Sequence, residues 1–327
     1  MEYAKILSAE LNVPEQYAAA AIALIDEGNT IPFIARYRKE ATNAMDDQVL
    51  RTLAERLDYL RGLEKRKGEV AAVITEQGAM TEELERALAA AKTLAEVEDL
   101  YRPYKPKRKT RASVAKARGL EPLAQALRAQ DARLDVRAEA EKYITEEVPD
   151  AEAALAGARD ILAEQVSDDA ALRAELRKFY RAFGLVKSKA AKEEDSVYAQ
   201  YYDFSEPVNR IAGHRVLALD RGEREEFLKV SVEVDPERAC GIARRMFVKK
   251  SGGASAAQVD EAVQDAYARL VQPSLEREVR AALTEQAAEG AIQVFGENLR
   301  QLLLAPPIKG KVAMALDPGY RMGCKVA

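Results

Sequence analysis

Eight of the eighteen residues from Tyr101 to Arg118 are basic and none is acidic. Pro103 and Pro106 prevent a helix at the start of this run, because each fixes φ and lacks an N–H. Lys105 to Arg111 therefore reads as an extended loop entering a helix. Cations on extended backbone can follow a phosphate chain while a neighbouring tyrosine stacks on a base. That chemistry makes Tyr101, Arg102, Tyr104, Lys105, Lys107, Arg108, Lys109 and Arg111 candidate nucleic-acid contacts. Basic runs are common and weakly specific, and a solvated loop docked on acidic helices of the same chain explains the run as well.

Two further segments carry cations. Arg177 to Lys192 holds six and no acid. Phe179, Phe183 and Val186 fall there at helical steps and read as core, with the cations facing outward. Ile31-Pro-Phe-Ile-Ala-Arg-Tyr-Arg-Lys-Glu40 places Arg36, Arg38 and Lys39 just before a helix start, after a helical pattern from Val13 to Asp26. Helix, turn and helix with cations allows a helix-turn-helix nucleic-acid element. Plain helix packing accounts for the same pattern.

Other chemistry is scarce. The single histidine, His214, has no Ser or Cys motif beside it and reads as structural. Cys240 and Cys324 give neither a disulfide framework nor zinc spacing, and Cys240 reads as a buried small hydrophobe. No phosphate-loop or Gly-x-Gly-x-x-Gly motif occurs. Asp317 ends an apolar stretch, the placement of a metal-holding acid in two-metal nucleases. No acid follows it, so within this chain Asp317-Pro-Gly reads as a turn. No catalytic residue, metal or cofactor is expected.

The elements that must position these residues are mostly helical. The chain has 327 residues, 48% hydrophobic, which suffices for two or three domains. Ala, Leu, Glu and Arg dominate, and Trp is absent. With 50 Lys and Arg against 54 Asp and Glu the net charge is -4, so a uniformly basic coat is excluded and any nucleic-acid site is local. No apolar run approaches a membrane span, and the acidic, amphipathic N-terminus is no signal peptide. The expectation is a cytoplasmic protein with no membrane partner.

Met45 to Gln77 reads as one helix with Val49, Leu53, Leu57, Leu60, Leu63, Val70 and Ile74 on one stripe, breaks near Gly62 and Gly68, and a stop at Gly78. Thr93 with Glu96, and Ser255 with Gln258, have capping-box spacing. The texture changes at about Asp195, and alternation at Leu228, Val230, Val232 and Val234 suits a half-buried strand. Helices resume at Pro236. The last runs from Ser274 to about Leu304, with Leu275, Val279, Leu283, Phe295, Leu299 and Leu303 on a related face. Pro306-Pro307 ends it, and Val312-Ala-Met-Ala-Leu316 reads as a short buried strand. A lone strand and turn cannot bury themselves, so a further domain is expected to begin here and be cut off.

Four of these segments together resemble the Tex family of bacterial transcription accessory proteins. They are Ile31 to Glu40, Glu98-Asp-Leu-Tyr-Arg-Pro-Tyr-Lys-Pro-Lys-Arg-Lys-Thr-Arg111, His214-Arg-Val-Leu-Ala-Leu-Asp-Arg-Gly-Glu223, and Leu316-Asp-Pro-Gly-Tyr-Arg-Met-Gly-Cys-Lys-Val326. The last resembles the opening of that family's YqgF, RNase H-like domain. Residues and resemblance together give a mainly α fold: a multi-helix N-terminal region with a helix-turn-helix element, a small β insertion near 197–235, and the first strand of a truncated RNase H-like α/β domain. The expected divisions are 1–195, 196–305 and 306–327. Family members are longer, adding helix-hairpin-helix modules and a C-terminal OB-fold RNA-binding domain. They carry Ser where this chain has Gly213.

The resemblance implies a non-catalytic scaffold of a transcription accessory protein with sequence-nonspecific RNA or DNA contacts, weak without the OB-fold domain. Transcription machinery is a further implied partner. Two alternatives stand beside it: part of a metal-dependent RNase H-like nuclease using Asp317, or a pure protein-docking scaffold.

Overall fold

The computed structural model describes residues 2–192, 194–306, 309–319 and 323–327. The chain opens with α1 (Glu2–Leu11), α2 (Glu15–Asp26), α3 (Ile31–Tyr37), α4 (Asp47–Glu76), α5 (Glu82–Ala90) and α6 (Leu94–Tyr101). Then come α7 (Arg111–Ala117), α8 (Glu121–Ala129), α9 (Val136–Glu141), α10 (Ala151–Ser167) and α11 (Ala170–Phe183). Strands β1 (Leu185–Ala190) and β2 (Asp203–Pro207), helix α12 (Gly213–Arg224) and strand β3 (Leu228–Glu233) follow. Helices α13 (Pro236–Phe247), α14 (Gly253–Asp265) and α15 (Gln272–Leu303) and the two-residue strands β4 (Leu316–Asp317) and β5 (Lys325–Val326) complete it. The fold is mainly α. Two compact units emerge, Met1–Phe179 with Asp235–Leu275, and Tyr180–Val234 with Glu276–Ala327.

In the first unit α4 serves two cores in succession. Leu50, Leu53, Leu57 and Leu60 pack with Leu7, Ala18, Ala21 and Ile34 from α1 to α3. Leu63, Val70 and Ile74 pack with Leu88, Val97 and Tyr101 from α5 and α6. Leu50 rather than Val49 starts the buried stripe. The breaks expected at Gly62 and Gly68 do not occur; an interior Gly costs about 1 kcal/mol, which two buried faces override. Gly78 does stop the helix, at φ +68, with its N–H donating to the Thr75 carbonyl at 2.9 Å and that of Ala79 to Ile74 at 3.1 Å.

Thr93 caps α6, accepting from the Glu96 N–H at 3.2 Å, while the Glu96 carboxylate takes the Lys92 N–H at 2.6 Å, one donor earlier than a strict capping box. The cap expected at Ser255 is absent. Gly252 precedes α14, and Ser255 lies fully buried inside it, its hydroxyl at 2.8 Å from the Gly252 carbonyl and 3.0 Å from that of Asp131. Helix α10 is the hub of this region, packed against α7, α8, α9 and α14.

In the second unit β1 is the centre of an antiparallel sheet ordered β2–β1–β3. This strand lies before the 197–235 insertion, in the segment whose Phe183 and Val186 have helical spacing. The helix ends at Phe183, which is exposed, and Val186 is buried on the strand instead. Along β3, Leu228 and Val232 are buried as the alternation requires. Gly213 opens α12 against α15: a Cβ there would sit 3.3 Å from the Ala287 Cα, so serine would crowd this contact. On α15 Leu275, Val279 and Ala287 are buried, whereas Phe295, Leu299 and Leu303 are exposed.

The buried strand expected over 312–316 is not formed. Leu316–Asp317 pairs with Lys325–Val326, Ala315 exchanges backbone hydrogen bonds with Ala327, and Val312, Met314 and Leu316 are exposed because a two-stranded ribbon has no second layer. Pro307 of the linker and residues 320–322 of the last family-like segment lie outside the described residues.

Candidate nucleic-acid interface

Helix α6 runs into a 3₁₀ turn, Arg102–Tyr104, and the chain then extends from Lys105. Thr110 ends the loop. Its hydroxyl accepts from the Ser113 N–H at 3.0 Å, and the Ser113 hydroxyl accepts from the Thr110 N–H at 2.8 Å. This reciprocal cap starts α7 at Arg111.

The first half of the basic segment is turned inward. Tyr101 is only 8% exposed and belongs to the core, with the Arg66 guanidinium 5.5 Å from its ring centroid. Tyr104 is half-buried against the same cluster, and its carbonyl accepts from Gln77 Nε2 at 3.0 Å. Arg102 Nε lies 3.3 Å from Asp168, and Lys107 Nζ forms a short ion pair with the same carboxylate and lies 3.5 Å from Glu164. Lys105 reaches Glu98 at 4.0 Å.

Burial pushes the Asp168 carboxyl above its ordinary range, against the pull of Lys107 and Arg102. Burial, and then the neighbouring Arg173 charge, lower Arg102. Behind this layer Asp99 accepts from Arg173 Nε and from Arg177, each at 2.7 Å, with Asp99 and Arg173 both buried. Glu164, Asp168 and Arg173 carry no motif and no local spacing links them to the loop, whereas Asp99 lies within the Glu98 to Arg111 segment.

The middle of the segment is open, whereas beyond it Lys116 lies 3.5 Å from Glu121 and Arg118 3.5 Å from Glu147. Arg108, Lys109 and Arg111 are exposed and make no ion pair among the described residues. Lys109, Arg111 and Arg118 rim a groove of about 530 Å³ between α7 and α10, floored by Val114, Ala115, Leu120, Ala153 and Ala156. Gly157 completes the floor: a Cβ there would lie 2.3 Å from Leu120 Cδ1, so any larger residue would make the Leu120 side chain move. Asp160 closes one end, 3.2 Å from Arg269, and burial raises its carboxyl.

Arg36, Arg38 and Lys39 are also exposed. They sit at the C-terminal end of α3 and just beyond it, well before α4, while the N-terminal residues of α3 are Ile31-Pro-Phe33. Most cations of the 177–192 segment are answered. Arg177 meets Asp99, Lys178 lies 2.8 Å from Glu175, Lys187 2.7 Å from Glu233 and Lys192 3.7 Å from Glu226.

Two family models fit this architecture. One, a Tex-like protein N-terminal domain, matches residues 1–75, and the other, a Tex central region, matches residues 131–295, half of the chain. The chain belongs to the Tex family. It is 42% identical to Protein tex of Bordetella pertussis, over 98% of this chain and 43% of that protein. It is 42% identical to the Transcriptional accessory protein Tex of Neisseria gonorrhoeae, over all of this chain and 44% of that one. The human S1 RNA-binding domain-containing protein 1 is 33% identical, over 99% of this chain and 34% of its own length. The chain thus spans less than half the length of these relatives.

The remaining chemical candidates in this Tex chain are isolated. His214 is exposed on the first turn of α12. Cys240 is buried, and burial raises its thiol. Asp317 is exposed on β4, opposite Lys325. Among the described residues no three His, Cys, Asp or Glu side chains gather as metal ligands, and no helix is long and apolar enough to cross a membrane.

Proposed function

We propose that this Tex region is a non-catalytic scaffold that makes sequence-nonspecific phosphate contacts with RNA or DNA. Arg108, Lys109 and Arg111 carry the contact, and Arg36, Arg38 and Lys39 form a second basic element. The observation behind this reading is the open stretch around Thr110: three exposed cations that make no ion pair among the described residues, two on the loop and one on the first residue of a capped helix. Unanswered cations release counterions when they meet phosphates, which gives affinity without base discrimination. The names of two relatives, a transcriptional accessory protein and a protein with an S1 RNA-binding domain, agree with it. The position of Asp317 beside Lys325 on an exposed ribbon supports a non-catalytic role for this region.

Fluorescence anisotropy with labelled single-stranded and duplex RNA at two salt concentrations tests the reading. The expected dissociation constant is of order 10⁻⁴ to 10⁻⁶ M at physiological salt. Changing Arg108, Lys109 and Arg111 together to Ala should weaken every sequence alike and flatten the salt slope by up to about three units. Identical curves for both proteins would sink it. Metal-dependent cleavage that disappears in Asp317→Ala would overturn the non-catalytic part.

A further inference from the structure

Tyr37 is the one exposed aromatic side chain of the first unit among the described residues, with 66% of its surface in water. It does not stand alone. Phe33, one helical turn earlier, lies with its ring centroid 5.2 Å away at an interplanar angle of 46°. The Arg38 guanidinium sits 5.3 Å from the Phe33 centroid. Arg36 and Lys39 flank the pair, exposed and without an ion pair among the described residues. Glu40 is the single acid between Gly28 and Met45.

The backbone holding this cluster is pinned. The buried Thr42 donates its hydroxyl to the Arg38 carbonyl at 3.2 Å, and the Ala44 N–H donates to Lys39 at 2.7 Å. Asn43 and Ala44 both adopt left-handed φ, 51° and 54°, which turns the chain sharply back toward α4. Backbone fixed in this way loses little freedom when a ligand arrives.

We infer that Tyr37 is a base-stacking residue. Its ring, backed by Phe33, receives one base of a single strand of RNA or DNA, while Arg36, Arg38 and Lys39 hold the adjoining phosphates. Any base offers a π-face, so the contact is indifferent to sequence, and a duplex, whose bases are already stacked, cannot use it. The inference rests on the nucleic-acid reading above but uses a different surface from Arg108, Lys109 and Arg111, which makes the two separable.

The test uses the full 327-residue chain, a labelled single-stranded RNA of mixed sequence, the same sequence as DNA, and a duplex. Tyr37→Ala should weaken binding of both single strands about five- to a hundred-fold, the range for loss of a stacking ring, and leave the salt slope and duplex binding unchanged. Tyr37→Phe should restore affinity. The chain has no Trp, so Tyr37→Trp installs a single tryptophan, excitable apart from the tyrosines, whose emission single strands should quench and duplex should not. Because the side chain is exposed, all three variants should melt like the parent. If Tyr37→Ala binds single strands as the parent does while the Arg108, Lys109 and Arg111 variant is weakened, the stacking assignment fails and the loop reading stands; a protein partner is then the better occupant. If the loop variant is unchanged and Tyr37→Ala is weakened, the loop reading fails and the stacking assignment stands. Absence of binding by the parent at low salt overturns both.

Discussion

The two long basic segments look alike as strings of letters and are used in opposite ways. From Arg177 to Lys192 the cations sit on a helix and a strand, where a partner one turn away or across the sheet is nearly automatic: Lys178 finds Glu175, and Lys187 finds Glu233. In the Tyr101 to Arg118 run the cations from Arg102 to Lys109 sit on a 3₁₀ turn and an extended loop. Arg102 and Lys107 are answered because the fold brings Asp168 and Glu164 to them, Lys105, Lys116 and Arg118 reach Glu98, Glu121 and Glu147, and Arg108, Lys109 and Arg111 make no ion pair among the described residues. On the proposed reading, a basic run is left available to phosphates where neighbouring and distant carboxylates both fail to claim it.

The largest effect should come from the layer beneath that contrast. Asp99 joins Arg173 to Arg177, the first cation of the answered segment. Asp99→Ala removes the carboxylate that Arg173 and Arg177 share in a buried network, and a loss of about 3–5 kcal/mol is expected in thermal or denaturant unfolding. A loss below about 1 kcal/mol would mean that water already shares the site.

The next test converts one half of the loop into the other. Asp168→Asn removes the charge that holds Arg102 and Lys107. Arg102 should then join the open cations while Lys107 is still held by Glu164, steepening the salt dependence of RNA binding by about one unit. There is also a pH signature. Because burial raises the Asp168 carboxyl, the folded chain keeps that proton to higher pH than the unfolded chain does. Its contribution to stability declines as pH rises from the ordinary carboxylate range through the raised one. The Asn variant should lack that decline, which unfolding curves across this range would show.

These contrasts set the limits of what the sequence could disclose. The stripe on α4 was legible because Leu53, Leu57, Leu60 and Leu63 repeat at helical steps and their partners are equally periodic. Strand β3 was legible from Leu228, Val230 and Val232. Strand β1 was not: Lys187 and Lys189 interrupt it, and Phe179, Phe183 and Val186 mimic a helix that stops at Gly184. The basic loop itself was legible as a run of cations flanked by prolines. Which of its residues stay open depends on Asp168 and Glu164, about sixty positions away, and on Tyr101 entering a core that no local pattern announces. Ser255 had the spacing of a cap, but Gly252 ends the preceding loop first and leaves the serine inside.

The smallest effect concerns why Arg111 is left unpaired although two carboxylates act on it electrostatically. Both Asp160 and Asp265 feel its charge. Arg269 claims them first, at 3.2 Å from Asp160 and 3.0 Å from Asp265. Arg269→Met should hand these acids to Arg111, and the salt slope for RNA should flatten by about one unit as that cation is neutralised. The same change should be visible in acid. The hydrogen bond from Arg269 holds the Asp265 carboxyl below its ordinary value. The folded chain therefore releases that proton more readily than the unfolded one, so the pair adds stability above about pH 4 and loses it as pH falls through the lowered value. Without Arg269 the carboxyl keeps only the weaker pull of Arg111, and the acid limb of the stability profile becomes shallower by at most about 1 kcal/mol, since solvent still screens this part-buried pair. An unchanged salt slope with a shallower acid limb would show that Arg111 stays open whether or not Arg269 is present, and that its exposure is set by the cap at Thr110 alone.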